Sequence, residues 1–201
     1  PPLIVWNHRW EFDKSPDQFF EALRGLKKEQ LPFRVSLLGE NFQKKPVEFL
    51  NAKKEFREEL IRYGYIENKN EYMRLLSEGS IVISTAIQEN FGISVLEAVY
   101  CGCIPLLPRR LVYPELIPIE YHDRVLYDSP ADLIRKCNRV VELLNRSGQS
   151  DRNDSQTEVL ELFKMRRDLM YQASQFSWDL RINDFDSFFE QCCREHHEKK
   201  A

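Results

Sequence analysis

The sequence predicts an α/β domain built on a doubly wound, mostly parallel sheet, and three observations predict it. Strand and helix signals alternate along most of the chain. Two strand-length runs, Leu3-Ile4-Val5-Trp6 and Ile81-Val82-Ile83, are continuously apolar, as strands covered on both faces are. A Ser-Pro-x-(acid or amide) helix start occurs twice, at Ser15 and at Ser129. At 201 residues the chain is long enough for one sizeable core or two small ones.

The first strand is Leu3 to Trp6. Ser15-Pro16-Asp17-Gln18 then opens a helix, with Ser as the N-cap, Pro at the first helical position and Gln two residues later to close a capping box. Phe33 to Leu38 reads as the second strand, ending at Gly39. A second helix is expected from Pro46 to Tyr63, stopped by Gly64. A short strand Tyr65-Ile66 and a helix Glu71 to Leu76 lead into the strand Ile81 to Ser84. Gly92 to Tyr100 is the next helix, ended by Gly102. Cys103 to Leu107 forms a strand, followed by a turn rich in Pro and Arg. Val125-Leu126-Tyr127 is the last strand, and a helix runs from Ser129 to Leu144. Ser147 to Gln156 is a polar loop, and two closing helices cover Glu158 to Ser174 and Trp178 to His196.

Composition narrows the function classes. Net charge is −3 and the pI about 5.9, so the overall charge of the chain does not attract nucleic acid. No apolar stretch approaches the roughly 20 residues that span a bilayer, and no signal peptide opens the chain, so no membrane partner is expected. Five cysteines, an odd number without framework spacing, point to reduced thiols and a cytoplasmic or nuclear location. Pro1-Pro2 runs straight into an apolar strand, so the sequence reads as one domain, residues 1–201, cut from a longer chain with an N-terminal partner missing. No Gly-x-Gly-x-x-Gly follows the first strand and no Walker pattern occurs, which argues against a dinucleotide reductase or a nucleoside triphosphatase.

In a doubly wound sheet, ligands bind beyond the C-terminal ends of the strands. Polar sets stand at three of those ends: Asn7-His8-Arg9, Thr85 to Glu89, and Arg109-Arg110. Glu97 lies about one and a half turns into its helix, and helical side chains lean back toward the N-terminus, so its carboxylate can reach the crevice and accept two hydroxyls, as a ribose diol offers. Gly92 lets backbone approach a ligand, and the N–H groups of Ile93 and Ser94 face any phosphate there. Arg9 and Lys14 straddle the first loop, where two cations can neutralise a diphosphate and stabilise it as a leaving group. Singly, each residue also fits a blander reading: Glu97 on an exposed helix face, or a solvated loop salt-bridged through Glu11 or Asp13. His8 reads as a structural histidine rather than a general base. Trp6 and Trp10 read as packing in the core and at the domain face, and Cys101 and Cys103 as packing residues. Cys192, Cys193, His196 and His197 offer a metal pair at helical spacing, but with no further ligand in view no metal site is expected.

With those residues in hand, the chain resembles the C-terminal half of a GT-B fold glycosyltransferase, in the large retaining family that includes sucrose synthases and phosphatidylinositol mannosyltransferases. The family's Glu-Gly-Phe-Gly-x-x-x-x-Glu-Ala stands here as Glu89-Asn90-Phe91-Gly92-Ile93-Ser94-Val95-Leu96-Glu97-Ala98. Its Gly-Arg-x-x-x-x-Lys is matched by His8-Arg9-Trp10-Glu11-Phe12-Asp13-Lys14. Gly64-Tyr65-Ile66 and Cys101-Gly102-Cys103-Ile104-Pro105 fall where the family has similar segments, and Phe176-Ser177-Trp178 fits its last helix, which packs back across the domain interface. The resemblance covers Leu3 to Tyr127. More narrowly, Trp6 to Lys14 together with Arg109-Arg110-Leu111-Val112-Tyr113-Pro114-Glu115 is similar to the branch that transfers mannose from GDP-mannose to queuosine in tRNA.

That resemblance implies a catalytic set of Arg9, Lys14 and Glu89. Arg9 and Lys14 would bind the donor diphosphate, Glu97 the ribose, and Glu89 the hydroxyls of the transferred sugar. Backbone at Phe91, Gly92, Ile93 and Ser94 would line diphosphate and sugar, and residues after Gly39 and around Tyr65-Ile66 the base pocket. It implies GDP-mannose as donor, no metal or other cofactor, and a tRNA acceptor held mainly by the missing N-terminal domain, which would also carry the activating His or Asp. The chain alone would bind donor and turn over little. Two departures stand out: Asn90 replaces the usual Gly, and Arg109-Arg110 add positive charge near the crevice, toward a tRNA phosphate. Two other readings remain open on the residues, a non-catalytic nucleotide-binding or scaffold module, and a transferase using UDP- or ADP-sugars on a lipid or glycan.

Overall fold

In the computed structural model, which describes residues 1–40, 46–147 and 155–198, the apolar run Leu3–Trp6 forms β1 near the middle of a six-stranded sheet. Its neighbours are β2 (Arg34–Leu38) on one side and β4 (Ile81–Ile83) on the other. β3 (Leu60–Gly64) closes one edge, while β5 (Ile104–Pro108) and β6 (Leu126–Tyr127) extend the other. Every pairing is parallel and the order is β3-β2-β1-β4-β5-β6. The chain therefore winds outward from β1, crosses back, and winds outward again from β4. The connections leaving β1 and β4 splay apart at their C-terminal ends and open a crevice between them.

The helices follow from the same pattern. α1 (Pro16–Lys28) carries its apolar stripe Phe19, Phe20, Leu23 and Leu26 onto the sheet, and it packs against α2 (Val47–Glu55) and α7 (Pro130–Arg146). α4 (Ile93–Tyr100) packs against α3 (Lys69–Glu78) and α8 (Ser155–Ser174). Two short helices, α5 (Tyr113–Leu116) and α6 (His122–Val125), occupy the stretch that the sequence reads as a Pro- and Arg-rich turn. α9 (Trp178–Glu198) closes the described chain.

An aromatic cluster anchors the half of the sheet around β1 and β2. Phe49 stacks on Trp10 at 4.5 Å between centroids and meets Trp6 and Phe20 edge-on at 5.6 Å and 5.3 Å. All four rings are buried. Trp10 stands in the loop leaving β1, so the stack joins the core directly to the crevice. β5 holds a proline without losing a ladder bond. Ile104 N–H donates toward β4, so the missing N–H of Pro105 faces the other side, where β6 pairs only with Leu107 and Pro108.

Several expectations need correction. The expected helix from Pro46 to Tyr63 ends at Glu55, and Leu60–Gly64 is strand β3, so Tyr65-Ile66 lies beyond the strand instead of forming it. β3 is an edge strand with only partial burial, and its polar face gives Leu60 to Tyr63 the look of a helical surface. Ser15 does not form the expected capping box: it sits at φ +45° and its hydroxyl donates to Asp17 Oδ1 at 2.7 Å instead of accepting from the helix. Ser129 does cap α7, accepting from Asp132 N–H at 3.2 Å. Gly92 precedes α4 as its N-cap. Within the expected loop Ser147 to Gln156, residues 148–154 lie outside the described residues, and Ser155 and Gln156 already belong to α8. Residues 177–194 are exposed, so the described part of α9 does not bury its aromatic residues within this domain.

Because Phe49 contacts Trp6, Trp10 and Phe20 at once, Phe49→Ala is expected to cost about 3–5 kcal/mol in urea denaturation. A loss below about 1 kcal/mol would remove the cluster from its place as anchor of this half of the sheet.

Candidate functional site

The loops after β1 and β4 are tied to each other. Lys14 ends a single 3-10 turn, Phe12–Lys14, and is 7% exposed. Its ammonium donates to Gln88 O at 2.7 Å and to Glu89 Oε2 at 3.2 Å. Thr85 Oγ1 lies within hydrogen-bond distance of both Lys14 O and Ser15 O, and Ile87 N–H donates to Asp13 O at 2.7 Å. A buried ammonium needs several acceptors to offset its lost hydration, and these supply them. Asp13 stands between the two cations, 3.3 Å from Lys14 Nζ and 3.4 Å from Arg9 Nη2. Arg9, Asp13, Lys14 and Glu89 thus form one chain of alternating charge along the crevice. The Arg9 side chain is 56% exposed and free to reorient, whereas Lys14 is held.

Glu89 also closes the N-terminus of α4. Its Oε1 accepts from Asn90 N–H at 3.1 Å and from Gly92 N–H at 3.0 Å. Burial pushes the Glu89 carboxyl upward, but the Gly92 N–H and the Lys14 ammonium outweigh it and hold the group below its usual range. Gly92 adopts φ +81°, and a Cβ there would lie 3.1 Å from Leu116 Cδ1, so the turn that aims the helix N-terminus at the crevice favours glycine. Phe91 packs its ring edge-on against Phe176 at 6.1 Å, and the Phe91 and Ile93 side chains on either side of Gly92 are exposed.

Glu97 lines a cleft of about 390 Å³ together with Asn7, Arg9, Gly39, Tyr65, Ile66 and Tyr72. The cleft runs from the end of β1 to the segment after β3. The structure therefore joins Arg9 and Glu97 to the stretch expected to hold a base, with Lys14 and Glu89 next along the crevice. Gly39 forms the cleft floor at φ +148°, where a Cβ would fall 2.3 Å from His8 O. Arg109 is neutralised by Asp123 at 2.9 Å and Asp128 at 3.1 Å, contrary to the expectation that it adds charge at the crevice. Arg110 donates to Ala86 O at 3.2 Å and so stays beside the end of β4.

His8 is buried and its Nδ1 lies 2.9 Å from Ser94 Oγ. Burial first, and the nearby Lys14 second, lower its pKa to about 4 against the pull of Glu89, the Ile83 carbonyl and Asp13. The imidazole is thus neutral at physiological pH and serves as a structural tie between β1 and α4. Two tyrosines carry parts of the site that motif spacing does not mark. Tyr72 OH reaches Glu97 Oε2 at 3.0 Å. Tyr113 OH lies 2.6 Å from Ser84 Oγ beneath the β4 loop. Neither has a motif of its own, although the Tyr113-Pro114-Glu115 helix start marks the element that carries Tyr113. Among the described residues no group of three His, Cys, Asp or Glu side chains could hold a metal ion. The side chains of His196 and His197 lie outside the described residues. No described helix is long and apolar enough to cross a membrane.

A Rossmann-like domain with a helix N-terminus, paired cations and carboxylates at its switch point has the form of a nucleotide-sugar domain of GT-B type. Residues 1–170 match the family of glycosyl transferases group 1, and the chain belongs to that family. It is 41% identical over 133 residues to the tRNA-queuosine alpha-mannosyltransferase of Drosophila melanogaster. That match covers 66% of this chain but only 34% of the relative, so the matched stretch spans about a third of that protein's length. Among solved structures, the sucrose-phosphate synthase of Thermosynechococcus elongatus aligns with a TM-score of 0.70 at 14% identity, over 96% of this chain and 46% of the other. Anabaena HepE, solved in complex with UDP, aligns with a TM-score of 0.69 at 15% identity, over 94% and 48%. At such identities the two structures establish the GT-B-like fold.

The neutral state of His8 carries a pH signature. Unfolded, the group titrates near 6.5; folded, at about 4. Its contribution is fully present above pH 6.5 and is lost as pH falls through the folded pKa. Stability is expected to drop by about 3 kcal/mol across that window. In urea denaturation at several pH values, His8→Asn should flatten this part of the profile. An unchanged slope in the variant would assign the effect to other groups.

Proposed function

We propose that this chain is the donor-binding part of a retaining glycosyltransferase that moves mannose from GDP-mannose to queuosine in tRNA. The observation that carries the donor half of this reading is that the cleft lined by Arg9 and Glu97 adjoins, through Arg9, the ion-paired run Arg9, Asp13, Lys14 and Glu89, which ends on the N–H of Gly92 at the start of α4. A nucleotide sugar is a base, a diol, a diphosphate and a hexose in a row. The cleft at Gly39, Tyr65 and Ile66 takes the base, Glu97 the ribose, and Lys14 with Arg9 and the helix N-terminus the diphosphate. Glu89 then meets the hexose hydroxyls. The Drosophila relative supports mannose, queuosine and tRNA as the finer identity, and the UDP complex of HepE supports a nucleotide in this fold.

Chemistry at such a site is positioning and charge stabilisation. As the bond from the anomeric carbon to phosphate breaks, negative charge grows on the departing GDP. Lys14 already has a fixed position beside Glu89, so stabilising that charge requires little reorganisation. Arg9 reorients from Asp13 to the phosphate. The Glu89 carboxylate, kept ionised by the Gly92 N–H and Lys14, accepts hydrogen bonds from the sugar hydroxyls without taking a proton. No residue here is assigned as a nucleophile. The tRNA and the group that activates it belong to a preceding domain, so this chain alone binds donor without transferring it, in the cytoplasm or nucleus.

Calorimetric titration with GDP, UDP, ADP and GDP-mannose tests the reading. GDP and GDP-mannose should bind best, and Glu97→Ala should weaken them by about 1.5–3 kcal/mol, the scale of a charged hydrogen bond. Binding unaffected by that change would refute the ribose assignment. Lys14→Ala should weaken GDP more than guanosine, and equal losses would take Lys14 away from the phosphates. Preference for UDP or ADP would replace the donor, and absence of mannose transfer to queuosine tRNA by the protein including its acceptor domain would remove the acceptor.

A further inference from the structure

Four groups in the crevice form a hydrogen-bonded relay whose direction is fixed by what each can donate. The Ser94 carbonyl can only accept, and it lies 2.6 Å from Asn7 Nδ2, which sets the orientation of the Asn7 amide. The same nitrogen donates to Tyr72 OH at 3.1 Å. With its oxygen accepting from Asn7, the phenol has one proton left, and that proton points to Glu97 Oε2 at 3.0 Å. Burial first, and the adjoining Glu97 second, raise the Tyr72 pKa, so the phenol keeps its proton. The relay joins three elements: the end of β1 at Asn7, α3 at Tyr72, and α4 at Ser94 and Glu97. Asn68 caps α3 by accepting from Glu71 N–H at 3.0 Å and so sets the start of the helix that presents Tyr72.

We infer that Tyr72 is a positioning residue that holds Glu97 in the orientation needed to read both hydroxyls of a ribose, and that it makes the site selective for ribonucleotides over 2′-deoxyribonucleotides. This rests on the assignment of Glu97 to the ribose. A glutamate has three side-chain torsions, and a freely rotating carboxylate can follow a single hydroxyl almost as well as a pair. Held at Oε2 by Tyr72, it keeps a fixed set of lone pairs toward the cleft, and a diol fills two of them. A deoxyribose leaves one charged acceptor short of its partner. Without the phenol, Glu97 swivels to suit either sugar, and discrimination falls even though the carboxylate remains.

The test uses this chain and whichever of GDP, UDP and ADP it binds tightest, with the 2′-deoxy counterpart of that nucleotide. The parent should favour the ribonucleotide by about tenfold or more, the scale of one charged hydrogen bond. Tyr72→Phe keeps the ring and its packing. It should reduce the preference to within about threefold and leave binding of inorganic pyrophosphate unchanged. In a Glu97→Ala background the Tyr72→Phe change should have no further effect on the preference, because the two act as one unit. A general loosening of the fold would weaken both nucleotides and leave their ratio intact, and thermal unfolding of the variant measures that separately. If Tyr72→Phe retains the full preference while Glu97→Ala abolishes it, the inference is overturned and the ribose assignment stands. If Glu97→Ala leaves the preference and the affinity intact, the ribose assignment itself fails. A parent without ribonucleotide preference also overturns the inference.

Discussion

The contact on which the site depends is the one between the Lys14 ammonium and the β4 loop. A lysine buried this deeply needs compensation, and Gln88 O with the Glu89 and Asp13 carboxylates supplies it. Those contacts lock the loop leaving β1 to the loop leaving β4, across the point where the strand order reverses. Thr85 and Ile87 reinforce the same seam. Two loops that the topology would let drift apart instead become one rim, and the N-terminus of α4 takes its spacing from the β1 loop through it.

From this seam the remaining geometry follows in both directions. Toward α4, Glu89 reaches on from Lys14 to the N–H groups of Asn90 and Gly92, so the cation, the carboxylate and the helix N-terminus are held as a unit. Toward β3, the loop carrying Lys14 also carries Trp10, whose stack on Phe49 ties the rim to the core, and Arg9, which lines the cleft. The fixed member of the cation pair is the buried one and the adjustable member the exposed one, a division that suits a ligand whose charge changes during reaction.

The sequence discloses the centre of this arrangement better than its edges. β1 and β4 are legible because strands buried on both faces must be apolar throughout, and Ile4, Val5, Val82 and Ile83 leave no other reading. β3 is misread because an edge strand need not be apolar: Arg62 and the half-buried Tyr63 obey the demands of solvent, and those resemble the demands on a helix surface. Arg9, Lys14, Glu89 and Glu97 stand out because their order along the chain is that of a known family. Tyr72 and Tyr113 do not, since each acts through a partner distant in sequence, Glu97 in one case and Ser84 in the other. Residue spacing carries no record of such pairs. Ser15 shows the same limit, because its capping signature is overridden by a left-handed backbone fixed by the seam around Thr85.

A structure of this chain with GDP-mannose bound tests the central claim most directly. The account predicts the diphosphate between Lys14 Nζ and the N-terminus of α4, the ribose hydroxyls on Glu97, and Arg9 turned from Asp13 to phosphate. A nucleotide seated elsewhere, or in this crevice with Lys14 and Glu97 untouched, would contradict it.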